Sequence, residues 1–376
     1  MNLHHLIAAE FPQKEGLIYL NHAGISPWPQ RTAECIKCFA DENVYQGPQD
    51  YSRWLTTEST LRKQLQQLLN APSPDDIALL KNTSEGLSMV AAGLPWQAGE
   101  NIVSSDQEFP SNRIVWESLQ HQGVSLRQAC LEDSASPEDA LFNLVDERTR
   151  MIAISSVQYA TGLRMDLARI GAFCKDHQIL FCIDAIQSLG ALPLDVQALQ
   201  ADFVAADGHK WLLGPEGLAV FYVSGAIRER LRPTQYGWHM VERQGDFERR
   251  EWEAAHSARK FECGSPNMLG IHGLHASLSL LQECSIEEIS RIILKNSTYL
   301  HDNLSSIRNI SLLSAQQPKR LSGIINFRHR QWETASLHQH LQRQGLICAV
   351  RGGGIRLSPH FYNTRAQLDR VLESLA

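Results

Sequence analysis

Short apolar runs recur along the first 223 residues, and stretches with helical spacing separate them. Runs of this length predict strands buried on both faces, and the stretches between them predict crossover helices. Six such runs occupy residues 77–80, 101–104, 151–155, 179–183, 203–206 and 218–223. The pattern predicts a mostly parallel α/β sheet whose functional residues lie just beyond the carboxyl ends of the strands.

The pattern changes after Val223. Residues 269–283 and 286–307 are predicted to form long helices, and short separated strands follow them at 310–313 and 322–327. A helix over 364–375 closes the chain. Helices followed by isolated strands are typical of a smaller α+β domain, and no internal repeat interrupts this order.

The composition restricts the class of protein. A length of 376 residues predicts two domains, or one large domain with an appendage. The net charge of −6 argues against nucleic-acid and anionic-membrane partners. No apolar run has membrane length, and the first 16 residues lack an apolar signal core. The eight cysteines are scattered without a tandem metal-binding pair, so we predict a reduced, cytoplasmic protein without a metal site.

Lys210 is the first candidate for chemistry. It follows His209 directly, between the apolar run 203–206 and a Gly-Pro-x-Gly turn at 214–217. A lysine at the edge of a buried sheet has a lowered pKa and a free lone pair, which suits an amine that forms a Schiff base. Taken alone, a solvated surface lysine is the more common interpretation.

Other polar residues follow the predicted strands. Thr83 and Ser84 open a helix after the strand 77–80, and such a helix start binds anions, although simple capping explains it equally well. Asp184 ends an apolar strand, where a carboxylate needs either a cationic partner or a helix to cap. Gln187 lies three residues later and faces the same side if that turn is helical.

Together these residues match the requirements of pyridoxal 5′-phosphate (PLP). This cofactor needs an amine for a Schiff base, an anion site for its phosphate and a carboxylate that keeps its ring nitrogen protonated. It also needs a flat group against its ring, for which Phe109 is the candidate. Gln158, in a polar turn after the strand 151–155, completes the set of cofactor-binding candidates.

On six motifs the chain resembles the class V aminotransferases of PLP fold type I, which include cysteine desulfurases, isopenicillin epimerase-like proteins and kynureninase relatives. These motifs lie at 82–86, 108–112, 184–187, 208–210, 264–267 and 355–364. The resemblance implies a large, mostly parallel, seven-stranded PLP-binding domain of the aspartate aminotransferase type over residues 17–270. Residues 1–16 and 271–376 are then expected to form the smaller α+β domain.

The resemblance also implies individual roles. Lys210 would carry the cofactor and move protons at Cα, Asp184 would pair with the ring nitrogen, and Gln187 would approach the phenolic oxygen. The phosphate is expected to be held by Thr83, Ser84 and His209, and by Ser265 of a second subunit in a homodimer. The substrate-binding residues are expected to be Asn21, His22 and Arg356, with Arg356 taking the α-carboxylate through its bidentate fork.

Three positions depart from the desulfurase pattern. Phe109 replaces a histidine and can only stack on the ring. Residues 349–354 run directly into Ile355-Arg356, so the loop that carries the sulfur-accepting cysteine is missing, and Cys348 is not a substitute for it. Asp207 replaces a serine that often touches the phosphate, and because like charges repel we expect it to point elsewhere. These departures argue against a persulfide-forming desulfurase.

The reaction itself stays open. The resemblance implies that a small α-amino acid forms an external aldimine and then a Cα carbanion. Aminotransfer is slightly favoured, and a C–S β-lyase, or desulfurase-like enzyme without the cysteine loop, and an amino-acid epimerase remain as alternatives. A non-catalytic PLP-binding protein is the least favoured. Trp238, His239 and Arg351 are candidates for the substrate pocket, but packing or solvated roles explain them equally well.

Overall fold

The computed structural model describes residues 3–131, 136–315 and 317–375, so Met1, Asn2, Gln316 and Ala376 of the predicted small domain lie outside it. The helices are α1 Leu3–Glu10, α2 Gln30–Tyr45, α3 Tyr51–Leu69, α4 Thr83–Gly93, α5 Ser111–Glu117, α6 Pro137–Phe142, α7 Leu167–Asp176, α8 Gly225–Arg228, α9 Met268–Cys284, α10 Ile286–Ser306, α11 Thr334–Arg343 and α12 Arg365–Glu373. The strands are β1 Ile18–Tyr19, β2 Ile77–Leu80, β3 Asn101–Ser105, β4 Ser125–Ala129, β5 Thr149–Ser155, β6 Leu180–Asp184, β7 Phe203–Asp207, β8 Ala219–Val223, β9 Ile310–Leu312, β10 Ile325–His329, β11 Leu346–Ile347, β12 Ala349–Arg351 and β13 Gly354–Leu357.

Seven strands form the large sheet, in the order β2-β8-β7-β6-β5-β3-β4. The strands from β4 to β7 pair in parallel, and β8 runs antiparallel to both of its neighbours. Every residue of β6, β7 and β8 is buried, as expected of strands covered on both faces. The predicted fold class, a mostly parallel seven-stranded α/β domain, is confirmed.

The strand register brings the polar strand ends together. Ser155 at the end of β5 pairs with Asp184 at the end of β6, and Asp184 pairs with Ala205 in β7. β2 is antiparallel to β8, which is antiparallel to β7, so β2 also ends at this edge. The helix α4 therefore begins at Thr83 on the same side of the sheet as Asp184 and Lys210.

The smaller domain is built on a four-stranded antiparallel sheet in the order β12-β13-β10-β9, beside the parallel pair β1-β11. Its core is separate from that of the large sheet and includes Ile18 and Leu20 from the N-terminal segment. The predicted start of the large domain at residue 17 therefore differs from the observed packing, which assigns residues 18–20 to the small domain.

The second predicted boundary, at residue 270, also differs from the packing. It falls inside α9, which packs on α2 and α3 and contributes to the core of the large sheet. The long helix α10 continues from one core into the other, since Ile289 and Ile293 belong to the first and Leu300 and Leu304 to the second. Among the described residues, no helix is long and apolar enough to cross a membrane.

Candidate active site

Lys210 follows β7 and is half-buried at the edge of the large sheet. Its Nζ atom lies 5.7 Å from the centroid of the Phe109 ring. Burial, together with Arg356 and Arg351, lowers the pKa of Lys210 to about 8, while Asp184 and Asp207 oppose the shift. A larger share of this amine is therefore unprotonated near neutral pH than of an ordinary lysine, as a Schiff-base nucleophile requires.

Asp184 ends β6 with only 2% of its surface exposed. Its Oδ1 atom accepts a hydrogen bond from the Ile186 backbone at 3.0 Å, which fixes the orientation of the carboxylate. Burial, together with Glu108, raises the pKa of Asp184 to about 7, while Lys210 opposes the shift. A cation placed beside this carboxylate would restore its usual ionisation, so the site fits a protonated ring nitrogen.

This raised pKa predicts a pH-dependent effect of Asp184→Asn on the cofactor-free protein. A carboxyl with a higher pKa in the folded than in the unfolded state loses stabilisation as pH rises from about 4 to about 7. The asparagine removes that cost, so its gain in unfolding free energy over wild type should be roughly 2 kcal/mol larger at pH 8 than at pH 5. Urea unfolding at both pH values tests this, and an equal effect at the two would contradict it.

Gln187 is oriented by two fixed partners. Its Oε1 atom accepts a hydrogen bond from Trp211 Nε1 at 3.0 Å, and its Nε2 atom donates to the backbone oxygen of Ala23 at 3.1 Å. The amide therefore cannot flip, and its second Nε2 hydrogen is available to a cofactor oxygen. This orientation fits the predicted approach to the phenolic oxygen.

Glu108 is a positioning residue that the sequence reasoning missed. This buried carboxylate accepts hydrogen bonds from five donors. They are the hydroxyls of Ser105 and Ser155, the Ser155 backbone and the side-chain amides of Asn112 and Gln158. The network anchors the segment that presents Phe109 to Lys210. The available signal was an acidic residue next to the stacking position, in a stretch rich in hydroxyl and amide groups.

Gln158 is fully buried and is itself held by this network. Its Nε2 atom donates to Glu108 Oε1 at 2.8 Å, while its Oε1 atom has no hydrogen-bond partner. The structure thus places Gln158 in contact with Glu108, the residue before Phe109. A role at the cofactor would have to use the unpartnered oxygen.

The start of α4 differs in detail from the predicted phosphate site. Asn82, rather than Thr83 or Ser84, caps the helix, with Oδ1 accepting from the Glu85 backbone at 2.8 Å. Ser84 is exposed, and its hydroxyl donates to Ser111 Oγ at 2.8 Å. Ser84 and Ser111 together therefore present hydroxyl groups at this helix start, and Ser111 was not foreseen.

Asp207 points into this helix start, contrary to the expectation that it points elsewhere. Its Oδ2 atom accepts hydrogen bonds from Thr83 N at 3.0 Å and from Thr83 Oγ1 at 3.1 Å. Both donors of Thr83 are thus directed at a carboxylate of the protein. The predicted contact from Thr83 to a phosphate would have to compete with Asp207, whereas Ser84 and His209 remain candidates.

Arg356, in β13, is 2% exposed and lacks an acidic partner among the described residues. It donates through Nη1 to the Tyr159 backbone oxygen at 2.8 Å and through Nη2 to Asn21 Oδ1 at 3.4 Å, and its Nε atom has no partner. Burial, aided by Arg351, lowers its pKa to about 10. A buried guanidinium with donors to spare is a binding site for an anion such as a substrate carboxylate.

His22 does not line the pocket as predicted, because it is completely buried. Its Nδ1 atom donates to the Ser358 backbone oxygen at 2.7 Å, and its Nε2 atom accepts from the Tyr362 hydroxyl at 2.6 Å. Burial lowers the pKa of His22 to about 4, so the ring is neutral. His22 joins the N-terminal loop to the small domain, while its neighbour Asn21 faces Arg356.

A tight hairpin of β12 and β13 takes the place of a cysteine-bearing loop. Gly352 and Gly353 form its turn with φ angles of 54° and 75°, values that favour glycine. Arg351 lies at the tip, exposed, and acts on the pKa of both Lys210 and Arg356. Cys348 is only 5% exposed, and burial raises its pKa to about 12, so its thiol is unreactive.

Two further predicted positions, His239 and Ser265, lie between β8 and α9. His239 is buried with its Nδ1 atom 3.8 Å from Glu262 Oε2, in a cluster with Glu58 whose ligand atoms lie within 4.8 Å of one another. Arg62 donates to both carboxylates of this cluster at 2.5 to 2.7 Å, so an internal ion pair already holds it together. Ser265 is exposed in the loop that precedes α9.

A half-buried lysine amine under an aromatic ring and a buried carboxylate thus lie at the edge of the large sheet, and a buried guanidinium from β13 contacts the same edge through the Tyr159 backbone. This arrangement is that of an enzyme that binds a carbonyl cofactor as a Schiff base and an amino acid through its carboxylate.

Comparison with known proteins gives the family. The model of the class-V aminotransferases matches residues 18–371. A probable cysteine desulfurase of Methanothermobacter thermautotrophicus is 30% identical over 98% of this chain and 96% of its own length. The chain belongs to the class-V aminotransferase family, which confirms the predicted resemblance.

Two structures of the protein C-DES show the same fold. In one, glycine is covalently linked to the PLP cofactor; it has a TM-score of 0.91 and 24% identity and covers 98% of each chain. The other is a complex of this cystine C–S lyase with its reaction product, cysteine persulfide. It has a TM-score of 0.90 and 25% identity and covers 97% of this chain and 99% of that one.

Proposed function

We propose that this protein is a PLP-dependent C–S β-lyase that acts on a small sulfur-containing α-amino acid of the cysteine type. Its family is that of class-V aminotransferases, and the relatives named above are a cysteine desulfurase and a cystine C–S lyase. These relatives favour carbon–sulfur cleavage over aminotransfer. The sequence alone had slightly favoured aminotransfer.

The residues of the site fit this cofactor. Lys210 would hold it, Phe109 would cover its ring, and Asp184 would keep its ring nitrogen protonated. Ser84 and His209 are the chain's candidates for the phosphate, together with Ser265 of a second subunit. When bound, PLP supplies an electron sink for the bond electrons at Cα of the amino acid.

The protein's own groups then do three things. The Arg356 guanidinium binds the α-carboxylate and orients the amino acid. The Lys210 amine takes the proton from Cα, and its lowered pKa of about 8 suits it as a base near neutral pH. Phe109 cannot transfer protons, so Lys210 also carries any proton that the departing sulfur needs. With cysteine the net reaction consumes water and releases pyruvate, ammonia and sulfide.

The observation that favours a lyase without an enzyme-bound persulfide is the hairpin at Gly352-Gly353. It contains no cysteine, and Cys348 beside it is buried with a raised pKa. The substrate sulfur is therefore expected to leave as sulfide or persulfide rather than on Cys348.

The test is incubation of the holoenzyme with L-cysteine or L-cystine in the absence of a keto acid. We expect pyruvate together with sulfide from cysteine, or with persulfide sulfur from cystine. Product that forms only when a keto-acid acceptor is added would favour aminotransfer, and racemisation without pyruvate would favour the epimerase.

A cysteine variant tests the route of the sulfur. Cys348→Ala should leave the rate of sulfur release within about twofold of wild type, because a buried thiol with a raised pKa does not attack substrate sulfur. A loss of more than about tenfold in a variant that unfolds at the wild-type temperature would show that Cys348 accepts sulfur.

We also propose that the enzyme works as a cytoplasmic homodimer. Ser265 is exposed in a loop ahead of α9 rather than turned into its own core, as expected of a residue that reaches a second subunit. A mass measurement in solution tests the homodimer, since one chain has a mass of 42.3 kDa.

A further inference from the structure

Asp207 is the feature of the site that its proposed function does not explain. It is the last residue of β7, is 8% exposed and is fixed by the sheet through its pairing with Ala219. Its carboxylate accepts hydrogen bonds from the backbone and hydroxyl of Thr83, at 3.0 and 3.1 Å. Its own backbone N–H donates to Thr83 Oγ1 at 3.0 Å.

These contacts use the hydrogen-bonding capacity of Thr83. The hydroxyl gives its hydrogen to Asp207 and accepts the N–H of the same residue, so it has no hydrogen left for a ligand. The first free N–H of α4 is also directed at the carboxylate. A helix start can direct such donors at a bound anion, and here the carboxylate of Asp207 accepts them.

His209 does not hydrogen-bond to this carboxylate. Its Nδ1 atom lies 3.6 Å from Asp207 Oδ1, beyond hydrogen-bond distance, and has no hydrogen-bond partner. The carboxylate also interacts with the Lys210 amine, whose pKa it raises. It therefore lies beside the place proposed for a group that carries up to two negative charges.

We propose that Asp207 sets the cofactor affinity of this protein by occupying donors of the phosphate site and repelling the phosphate, so that PLP is held weakly and exchanges with solution. This inference rests on the proposed function, since it takes the start of α4 as the place where the cofactor phosphate binds. The expected consequence is unusual: removing a residue of the site tightens binding of the cofactor.

The experiment compares wild type with Asp207→Asn and Asp207→Ser. The asparagine keeps the size of the side chain and an acceptor for Thr83, and the serine restores a neutral hydroxyl. Dissociation constants are measured from the absorbance of bound PLP and, in parallel, of pyridoxal, which has no phosphate. Both variants should bind PLP about tenfold or more tightly than wild type, because a unit charge is removed next to the phosphate. Pyridoxal binding should change by less than about twofold.

Asp202→Asn is the matched control. Asp202 precedes β7 at the opposite end of the strand and accepts a hydrogen bond from the Phe181 backbone at 2.9 Å. Its substitution changes the net charge of the protein equally but lies away from the phosphate site, so it should leave PLP affinity unchanged. Tighter PLP binding in this control as in the Asp207 variants would assign the effect to net charge and overturn the proposal.

Two further measurements test the proposal without relying on the PLP affinities of the variants. Wild type should lose its cofactor on dialysis against phosphate buffer, and stoichiometric retention of PLP would overturn the proposal without any variant. Inorganic phosphate should raise the unfolding temperature of the cofactor-free Asp207 variants more than that of wild type. PLP affinity that is unchanged in both variants would show that Asp207 does not set it, and weaker PLP binding with pyridoxal unaffected would show that Asp207 supports the phosphate; either result would overturn the proposal. If no protein, wild type included, forms the absorbance band, the proposed function fails, while the inorganic phosphate measurement still reports on Asp207.

Discussion

Lys210→Ala is expected to lower kcat for sulfur release by at least about a thousandfold, the largest effect of any single substitution in this chain. In the proposed mechanism the Lys210 amine has two tasks, since it holds the cofactor and moves the Cα proton. The Nζ atom of Lys210 lies 5.7 Å from the centroid of the Phe109 ring, and burial lowers the pKa of this amine to about 8. The methyl group of alanine performs neither task. The measurements are the rate of pyruvate formation and the absorbance band of the Schiff base, which borohydride should no longer trap on the protein.

Lys63→Ala is the control for this substitution. Lys63 is exposed on α3 and takes no part in the site, so its removal should change neither the rate nor the absorbance. Unfolding temperatures of both variants show that the fold is retained. A Lys210→Ala protein that kept more than about a tenth of the wild-type rate would refute the assignment of Lys210, and with it the proposed mechanism.

The sheet and the central residues were predictable because their signals are local. Strands buried on both faces appear as continuous apolar runs, so β2 and β5 to β8 were found from hydrophobicity alone. Asp184 was found because a carboxylate at the end of a buried apolar run is costly unless it has a cationic or hydrogen-bonding partner. Parallel strands end at one edge, so the proximity of Asp184 and Lys210 followed from the predicted topology.

The direction of individual side chains was not predictable, because it depends on partners far away in the chain. Asp207 turns towards Thr83, 124 residues earlier, and His22 turns towards Tyr362, 340 residues later. No local pattern encodes such pairs. The predicted domain boundary at 270 differs from the packing of α9 for a related reason. The buried residues of α9 surround much of the helix, so its periodicity does not show which sheet it covers.

Arg356→Met is expected to change activity and stability in opposite directions. The substrate carboxylate loses a charge-assisted partner, so KM should rise roughly a hundredfold, with a smaller effect on kcat. The fold, in contrast, loses a buried cation that no carboxylate of the described residues pairs with, and whose pKa burial lowers to about 10. Methionine fills similar space without a charge, so the cofactor-free variant should gain about 1 to 2 kcal/mol in unfolding free energy. Steady-state kinetics and urea unfolding measure the two effects.

Arg320→Met provides the matched comparison, because Arg320 differs from Arg356 in having an acidic partner. It donates to both carboxylate oxygens of Glu138 at 2.7 Å, and Glu138 is completely buried. The same substitution there leaves a buried carboxylate unpaired and should cost roughly 3 kcal/mol of unfolding free energy. Its KM should stay near the wild-type value, since Arg320 takes no part in the proposed site.

Changes of opposite sign in the unfolding free energies of Arg356→Met and Arg320→Met would indicate that Arg356 serves to bind a ligand. An arginine kept for the fold is paired with a carboxylate of the same chain, as Arg320 is with Glu138. An arginine kept for a ligand leaves donors unused until the ligand arrives, as the unpartnered Nε atom of Arg356 indicates. The substrate then supplies the missing anion, so the binding free energy includes relief of the cost of burying the cation. A loss of stability in Arg356→Met equal to that in Arg320→Met would contradict this account and remove the support for an anion site at Arg356.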